Sequence, residues 1–256
     1  MFTLEVKKLS KVVALALLAA STLYGGDVKG PAFKDKVKEE ISLNISWKGS
    51  DPVIDFDNRG ALLDVTAQRI AAEPWNRDFF KKLKELHKVH YEQAGKVQGT
   101  LSFRGRDYHL DGAGIRDHSF GKRSWDDWDR HIWYLGVLED GRYFNASIID
   151  YDFIKGLKAG YLGDARNAVT LAGLPSFEGL ALPEPLPEEL TLPLQLRTGE
   201  KEKILTVKME AFFPFVMDGV YHIRQALAHF SLDGVPGMGI AEMGINMNKY
   251  GIDLSD

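Results

Sequence analysis

Apolar and polar residues change rhythm along this chain, and the changes mark out its elements. Ile41–Trp47, reading ISLNISW, alternates as a half-buried strand does, and KGSDP breaks the run. Ala61–Ala72 has helical spacing with no breaker. Pro74 is placed to begin a second helix, on which Trp75, Phe79, Leu83, Leu86 and His90 recur at steps of four and three and share one face. That spacing predicts a helix ending near Gly95, so that two helices occupy about residues 60–93.

From Lys96 onward the period falls to two. KVQGTLSF and RDYHLD flank Arg104-Gly105, a tight turn, and DRHIWYLGVL and RYFNASIIDYDF flank Glu139-Asp140-Gly141. Further on, KILTVKMEAFFPFVM, VYHIRQALAHFSL and VPGMGIAEMGINM are separated by Asp218-Gly219 and Asp233-Gly234, and LPLQLRT precedes them. Residues 157–176 are less regular, and Leu174–Leu190 carries four prolines, as a surface connection would. Strands punctuated by Asp-Gly turns predict a mainly β chain with a helical insertion, built as antiparallel barrel or sandwich units. The expected division is residues 27–125, a first β unit holding both helices, and residues 126–256, a second β unit.

Composition narrows the class. With 45% hydrophobic and 27% charged residues the chain is an ordinary globular one. Its net charge of -4 and lack of a long basic run argue against nucleic acid as a partner. The absence of cysteine excludes disulfides, thiolate metal sites and cysteine nucleophiles. Residues 1–26 stand apart: Lys7, Lys8 and Lys11 precede the short apolar run VVALALLAASTLYGG, with small residues around Ala19–Ser21. That pattern fits a secretory signal peptide, and the run is shorter than a membrane span of about 20 residues. With it the chain is expected to be secreted, periplasmic or in an endomembrane lumen, and without it cytoplasmic. Membrane contact is expected only through residues 12–25. Two Asn-x-Ser sequons, at Asn44 and Asn145, matter only in a secreted eukaryotic chain.

The densest candidate chemistry is Gly114–Trp125, GIRDHSFGKRSW. A polar cluster between apolar strands must be hydrogen-bonded, so it is either a structural network or a site. His118 has the ordinary pKa for a general acid or base. On an extended backbone Asp117 and His118 point to opposite faces, so their contact is not implied by adjacency. The other reading makes His118 a buried structural histidine. Trp125, Trp128 and Trp133, with Tyr134, suit either an aromatic-lined cavity or plain core. Asp126, Asp127, Asp129, Arg130 and His131 read as a solvated, salt-bridged loop. His87 and His90 stand three apart on the second helix with no carboxylate placed to complete a metal site, so no metal and no cofactor are expected. Glu242, in the last apolar strand, is a buried-carboxylate candidate for pairing with Arg116, Arg123 or Arg224. Asp233–Gly244 is glycine-rich but lacks the spacing of a dinucleotide loop, and no Walker loop, nucleophile elbow or kinase signature occurs.

The stretch GAGIRDHSFGKRSWDDWDRHIWYLGVLEDGRYF resembles the R-D-H-S-[FW]-G-x-R-x-W signature of a lipocalin-like group similar to the carotenoid 1,2-hydratases (hydroxyneurosporene synthases) and, more distantly, to fungal Diels–Alderase-like proteins. The region DFDNRGALLDVTAQRIAAEPWNRDFFKKLKELHKVHYEQAGKVQGTL upstream resembles animal members of the group, some fused to or described with phosphoenolpyruvate-synthase-like modules, and LDGVPGMGIAEMG resembles the group's closing strand. The resemblance covers Asp55 to Gly244. It implies two packed lipocalin-like β units with a site near their junction. In the carotenoid hydratases the matching histidine is a proposed catalytic residue, as is the aromatic two positions on. Those positions are His118 and Phe120. The family has tryptophan at the second, so this chain lacks an N–H donor there. The family's downstream Tyr and Asp fall in the region of Tyr143, Asp150 and Tyr151. Phosphotransferase chemistry does not carry over to a chain of this length.

The expected function is therefore binding of a hydrophobic small molecule in a cavity lined by Phe120, Trp125, Trp128, Trp133, Tyr143 and Tyr151. His118, with Asp117 or Asp150 as its carboxylate, would assist hydration or isomerisation of an isoprenoid-like double bond by acid catalysis. Two alternatives remain open. One is a non-catalytic interaction module clamped by Arg116, Asp117, His118, Arg123 and Glu242; the other is an accessory domain of a phosphotransferase-like protein.

Overall fold

The computed structural model describes residues 41–49, 52–86, 89–121, 124–175, 177, 189–196 and 202–251. Residues 1–26, Lys122, Arg123 and His87, named above, lie outside them. The chain is mainly β, and its strands form two packed antiparallel units. The first is an open four-stranded sheet in which β3 (Val89–Phe103) pairs with β4 (Arg106–Phe120) on one side and with β1 (Ile41–Gly49) and the short β2 (Ile54–Asp55) on the other. The second is a closed eight-stranded barrel. It is formed by β5 (Trp128–Leu138), β6 (Tyr143–Tyr151), β7 (Leu157–Gly163), β8 (Ala168–Gly173), β9 (Glu189–Leu196), β10 (Lys203–Met217), β11 (Tyr221–Leu232) and β12 (Val235–Asn246). The β12–β5 pairing joins the chain's last strand to the barrel's first, and β9 closes the ring between β8 and β10.

The turns form where the turn chemistry demands. Arg104, Asp218 and Asp233 adopt positive φ, each followed by a glycine at positive φ. Two consecutive residues of this kind give the tight hairpin turn whose twist matches that of its strands. The segment 157–176, expected to be irregular, contains β7 and β8. Leu174 and Phe177, in the expected surface connection, are buried in the barrel cluster instead.

That cluster occupies one face of every barrel strand it touches. Ile132, Tyr134 and Leu138 on β5 alternate with residues facing out, as do Phe144, Ala146 and Ile148 on β6 and Ala226, Ala228, Phe230 and Leu232 on β11. Large and small side chains are matched between neighbouring strands on the lumen face. Tyr134 is register-paired with Ala146 and Ala241. A Cβ on Gly136 would come within 2.7 Å of the Phe144 ring and 2.8 Å of Phe230. An eight-stranded barrel is just wide enough for its own side chains to fill. Inside this one the Tyr134 hydroxyl is buried with no hydrogen-bond partner, and burial raises its pKa.

Helix α1 (Leu63–Ala72) follows the expected limits closely. Helix α2 (Arg77–Leu86) does not. Its start is set by Asn76, whose side chain accepts from the Phe79 amide at 2.9 Å, rather than by Pro74. Trp75 lies before the helix and is 67% exposed, while Phe79 is buried. The helix stops at Leu86 rather than near Gly95, and Val89 to Gly95 belong to β3, register-paired residue by residue with β4. The i, i+3, i+4 apolar spacing continues through His90, but the long β4 partner outweighs it.

Candidate functional site

The β3–β4 hairpin sorts the GIRDHSF motif onto two faces. Register pairs Glu92 with Asp117 and His90 with Ser119 on the face towards the barrel. It pairs Tyr91 with His118, Gln93 with Arg116 and Val89 with Phe120 on the opposite face. Alternation thus separates Asp117 from its neighbours Arg116 and His118.

The barrel-facing side carries a polar cluster centred on the buried Glu92. His90 Nε2 lies 2.6 Å from Asp117 Oδ2 and 3.5 Å from Glu92 Oε1. Asn145 of β6 donates to Glu92 Oε1 at 2.7 Å, and the Tyr161 hydroxyl of β7 donates to Glu92 Oε2 at 2.5 Å. Ser147 in turn donates to Asn145 Oδ1 at 2.6 Å. The Phe56 ring stacks on His90 at 4.1 Å between centroids. Glu92 is completely buried, so it reaches across the junction as a polar clamp between sheet and barrel. Among the described residues, His90, Glu92 and Asp117 are a group whose donor atoms all lie within 4.8 Å of one another.

The protonation chemistry follows from this geometry. Burial works against a charged His90 ring, but hydrogen bonds to Asp117 and Glu92 outweigh it and push the pKa up to about 9. Burial pushes the Glu92 carboxyl up, with the nearby Asp117 charge adding to it and His90 and Tyr161 opposing it. Burial and the Glu92 charge raise the Tyr161 phenol well above its usual range. The cluster is a proton-rich acid–imidazole pair set against a phenol.

One step along the same face, hairpin and barrel leave a cleft of about 350 Å³. Ala94, Gly95, Gly112, Ala113, Val137 and Tyr143 line it, with Lys96 beside them. Tyr143, expected to touch ligand, does face this cleft, and its ring meets that of Tyr161 edge-on at 5.8 Å.

The other expected site residues fall elsewhere. His118 is exposed; its ring stacks on Tyr91 at 4.9 Å and meets Phe120 edge-on at 5.4 Å. Phe120 is 55% exposed. Arg116 lies over Trp47 at 4.8 Å and over Tyr91 at 5.3 Å, and reaches Gln93 only at 3.5 Å. Asp150 accepts from Arg130 Nε at 2.8 Å and from the Gly156 amide at 2.6 Å, in the barrel wall. Trp125, Trp128 and Tyr151 form a buried cluster with Phe79 of α2 and Tyr221, as core. Trp133 is half-buried, with its indole nitrogen unpartnered. Glu242 accepts from Gln225 at 2.5 Å and pairs at 2.8 Å with His131, whose other ring nitrogen meets the Tyr221 hydroxyl at 2.7 Å. Among the described members of the expected Arg–Asp–His clamp, only Asp117 joins this cluster, alongside His90, Glu92, Asn145 and Tyr161.

Helical spacing pairs His90 with His87 and hides Glu92, which only a strand brings to the same face as His90. Read as a strand, VHYEQ places both on one face, and that was the available signal. Asn145 was noted only as a sequon; it is fully buried, with its amide nitrogen committed to Glu92.

No curated protein matches the chain. Among solved structures, a crystal structure of a Nitrosomonas europaea protein described as a candidate AttH aligns with 14% identity and a TM-score of 0.47. The alignment covers 83% of this chain, which spans 62% of that protein. A family description, a domain of unknown function designated DUF7064, matches residues 12–247, nearly the whole length. The chain belongs to the DUF7064 family.

Proposed function

We propose that this protein binds a small, mostly apolar molecule in the cleft between the β3–β4 hairpin and the barrel. The observation that carries the reading is the cleft itself. Its volume of about 350 Å³ falls within the range of ligand sites, and alanine, glycine and valine leave space beside a single tyrosine. Apolar walls with a few placed polar groups are the usual composition of such sites. The resemblance of the central motif to carotenoid hydratases supports an isoprenoid-like guest. It also supports proton-assisted hydration or isomerisation as the chemistry. For that chemistry the acid must stand beside the guest, and Glu92, two residues from Ala94 on the same face, meets this condition better than the exposed His118.

The test fills the cleft. Ala113 is an exposed residue on its wall, so Ala113→Trp occupies the space without entering the core. The wild-type protein should enhance the fluorescence of N-phenyl-1-naphthylamine, and Ala113→Trp should weaken that binding about tenfold or more. Unchanged probe affinity in a folded variant would remove the cleft as the site. Native mass spectrometry of protein from its own source would then show whether any lipid-like guest co-purifies.

A second reading, a non-catalytic interaction module, is supported by the outer face of the hairpin. There Arg116 lies over the half-buried Trp47 and Tyr91, His118 stacks on Tyr91 and Phe120 meets His118 edge-on, with Arg116, His118 and Phe120 exposed. Loss of a partner on changing Phe120 and His118, with probe binding intact, would favour it.

A further inference from the structure

We infer that His90, Glu92 and Asp117 form a binding site for one divalent transition-metal ion of the zinc or manganese kind. The hairpin register builds the site. His90 and Glu92 are two residues apart on one face of β3, and Asp117 stands directly across from Glu92 on β4. One imidazole nitrogen and two carboxylate groups thus offer donor atoms within 4.8 Å of one another, close enough for one ion to bridge with small side-chain shifts. Nitrogen with carboxylate oxygen suits borderline divalent ions better than calcium or magnesium, which take oxygen ligands.

Three further observations point the same way. The first is charge. Two carboxylates converge, one of them completely buried, and among the described residues neither has a lysine or arginine recorded against it; their only cationic neighbour is His90 itself. A buried carboxylate whose one cationic neighbour is itself a ligand is an arrangement that a bound ion can take over when His90 releases its proton. The second is support from behind. The Phe56 ring fixes the plane of His90, and Tyr161 and Asn145 hold Glu92 from the barrel side. Metal ligands are commonly oriented by such outer hydrogen bonds. The third is access. The His90 and Asp117 side chains are 28% and 34% exposed, so one side of the site stays open to an ion and its waters.

The site shares Glu92 with the acid proposed beside the ligand cleft, but metal binding can be tested without any guest. Chelator-treated full-length protein would be titrated with Zn²⁺ and with Mn²⁺ by calorimetry, and with Co²⁺ while recording its visible d–d absorption. One ion should bind per chain, with Co²⁺ bands of a nitrogen–oxygen ligand field. Asp117→Asn, at a partly exposed position, should weaken binding about tenfold or more, whereas His118→Ala, on the opposite face, should leave it unchanged. An affinity unaltered by Asp117→Asn, no stoichiometric binding, or Co²⁺ spectra without a nitrogen ligand would each overturn the inference. If Asp117→Asn fails to fold, the Co²⁺ spectrum and stoichiometry of the wild-type protein decide alone.

Discussion

On the β3–β4 hairpin, adjacent residues keep different partners. Asp117 faces the barrel and bonds to His90 beside a fully buried glutamate. His118, its neighbour in the chain, faces outward and stacks on Tyr91 among exposed rings. Both faces combine imidazole, aromatic and charged groups, so composition does not tell them apart. Burial does. On the inner face each polar group has a designated partner, because an unmet one is costly away from water. On the outer face contacts are ring against ring and cation over ring, and water can replace them at little cost. The inner face can therefore hold a defined chemical state, while the outer one presents a surface.

The largest expected difference between the faces is in stability. Glu92→Ala strands the Tyr161 hydroxyl and the Asn145 amide in a buried junction and should cost about 3 kcal/mol or more in urea unfolding. His118→Ala should cost less than about 1 kcal/mol in the same experiment. Equal losses would mean that the outer face also carries structure.

A pH series sharpens the contrast next. His90 has a pKa of about 9 in the folded chain against an ordinary 6.5, so folding favours its charged form. That contribution is complete below the ordinary value and is lost as pH climbs through the folded one. The groups facing His90 are Asp117 and Glu92, with Tyr161 behind them. Glu92 acts in the same direction: its raised pKa means folding favours the protonated acid, and that gain fades as pH rises above the ordinary carboxylate range. Metal-free protein should lose about 2 kcal/mol of stability between about pH 6 and about pH 10, and His90→Gln should flatten the slope. A slope unchanged in His90→Gln would place the titration elsewhere.

The smallest effect belongs to the outer face. Phe120→Ser should change unfolding free energy by no more than about 0.5 kcal/mol, since an exposed ring contributes little burial. A larger loss by thermal or urea unfolding would show that this face is covered in the native protein.

Much of the architecture was legible along the chain. The Asp-Gly pairs and the period-two runs placed β5, β6, β10, β11 and β12 near their observed limits, because turn chemistry and alternation are local properties. Helix α1 was readable for the same reason. The stretch from His87 to Gly95 was not, because its apolar spacing fits a helix and only pairing with β4 makes it a strand. The site depended on that one stretch. Once it is a strand, His90 and Glu92 join Asp117; kept as a helix, they belong to a different element.

The amino-acid order by itself determined which residues turn and which alternate, and hence a mainly β chain with titratable side chains gathered around Asp117 and His118. Which of those neighbours stands beside a buried partner was decided only in three dimensions. Register between β3 and β4, and the docking of that hairpin on β6 and β7, set Glu92 against Tyr161 and Asn145 and left His118 in water. The reason is that desolvation depends on what covers a side chain, and the cover for Glu92 comes from residues more than fifty positions away along the chain.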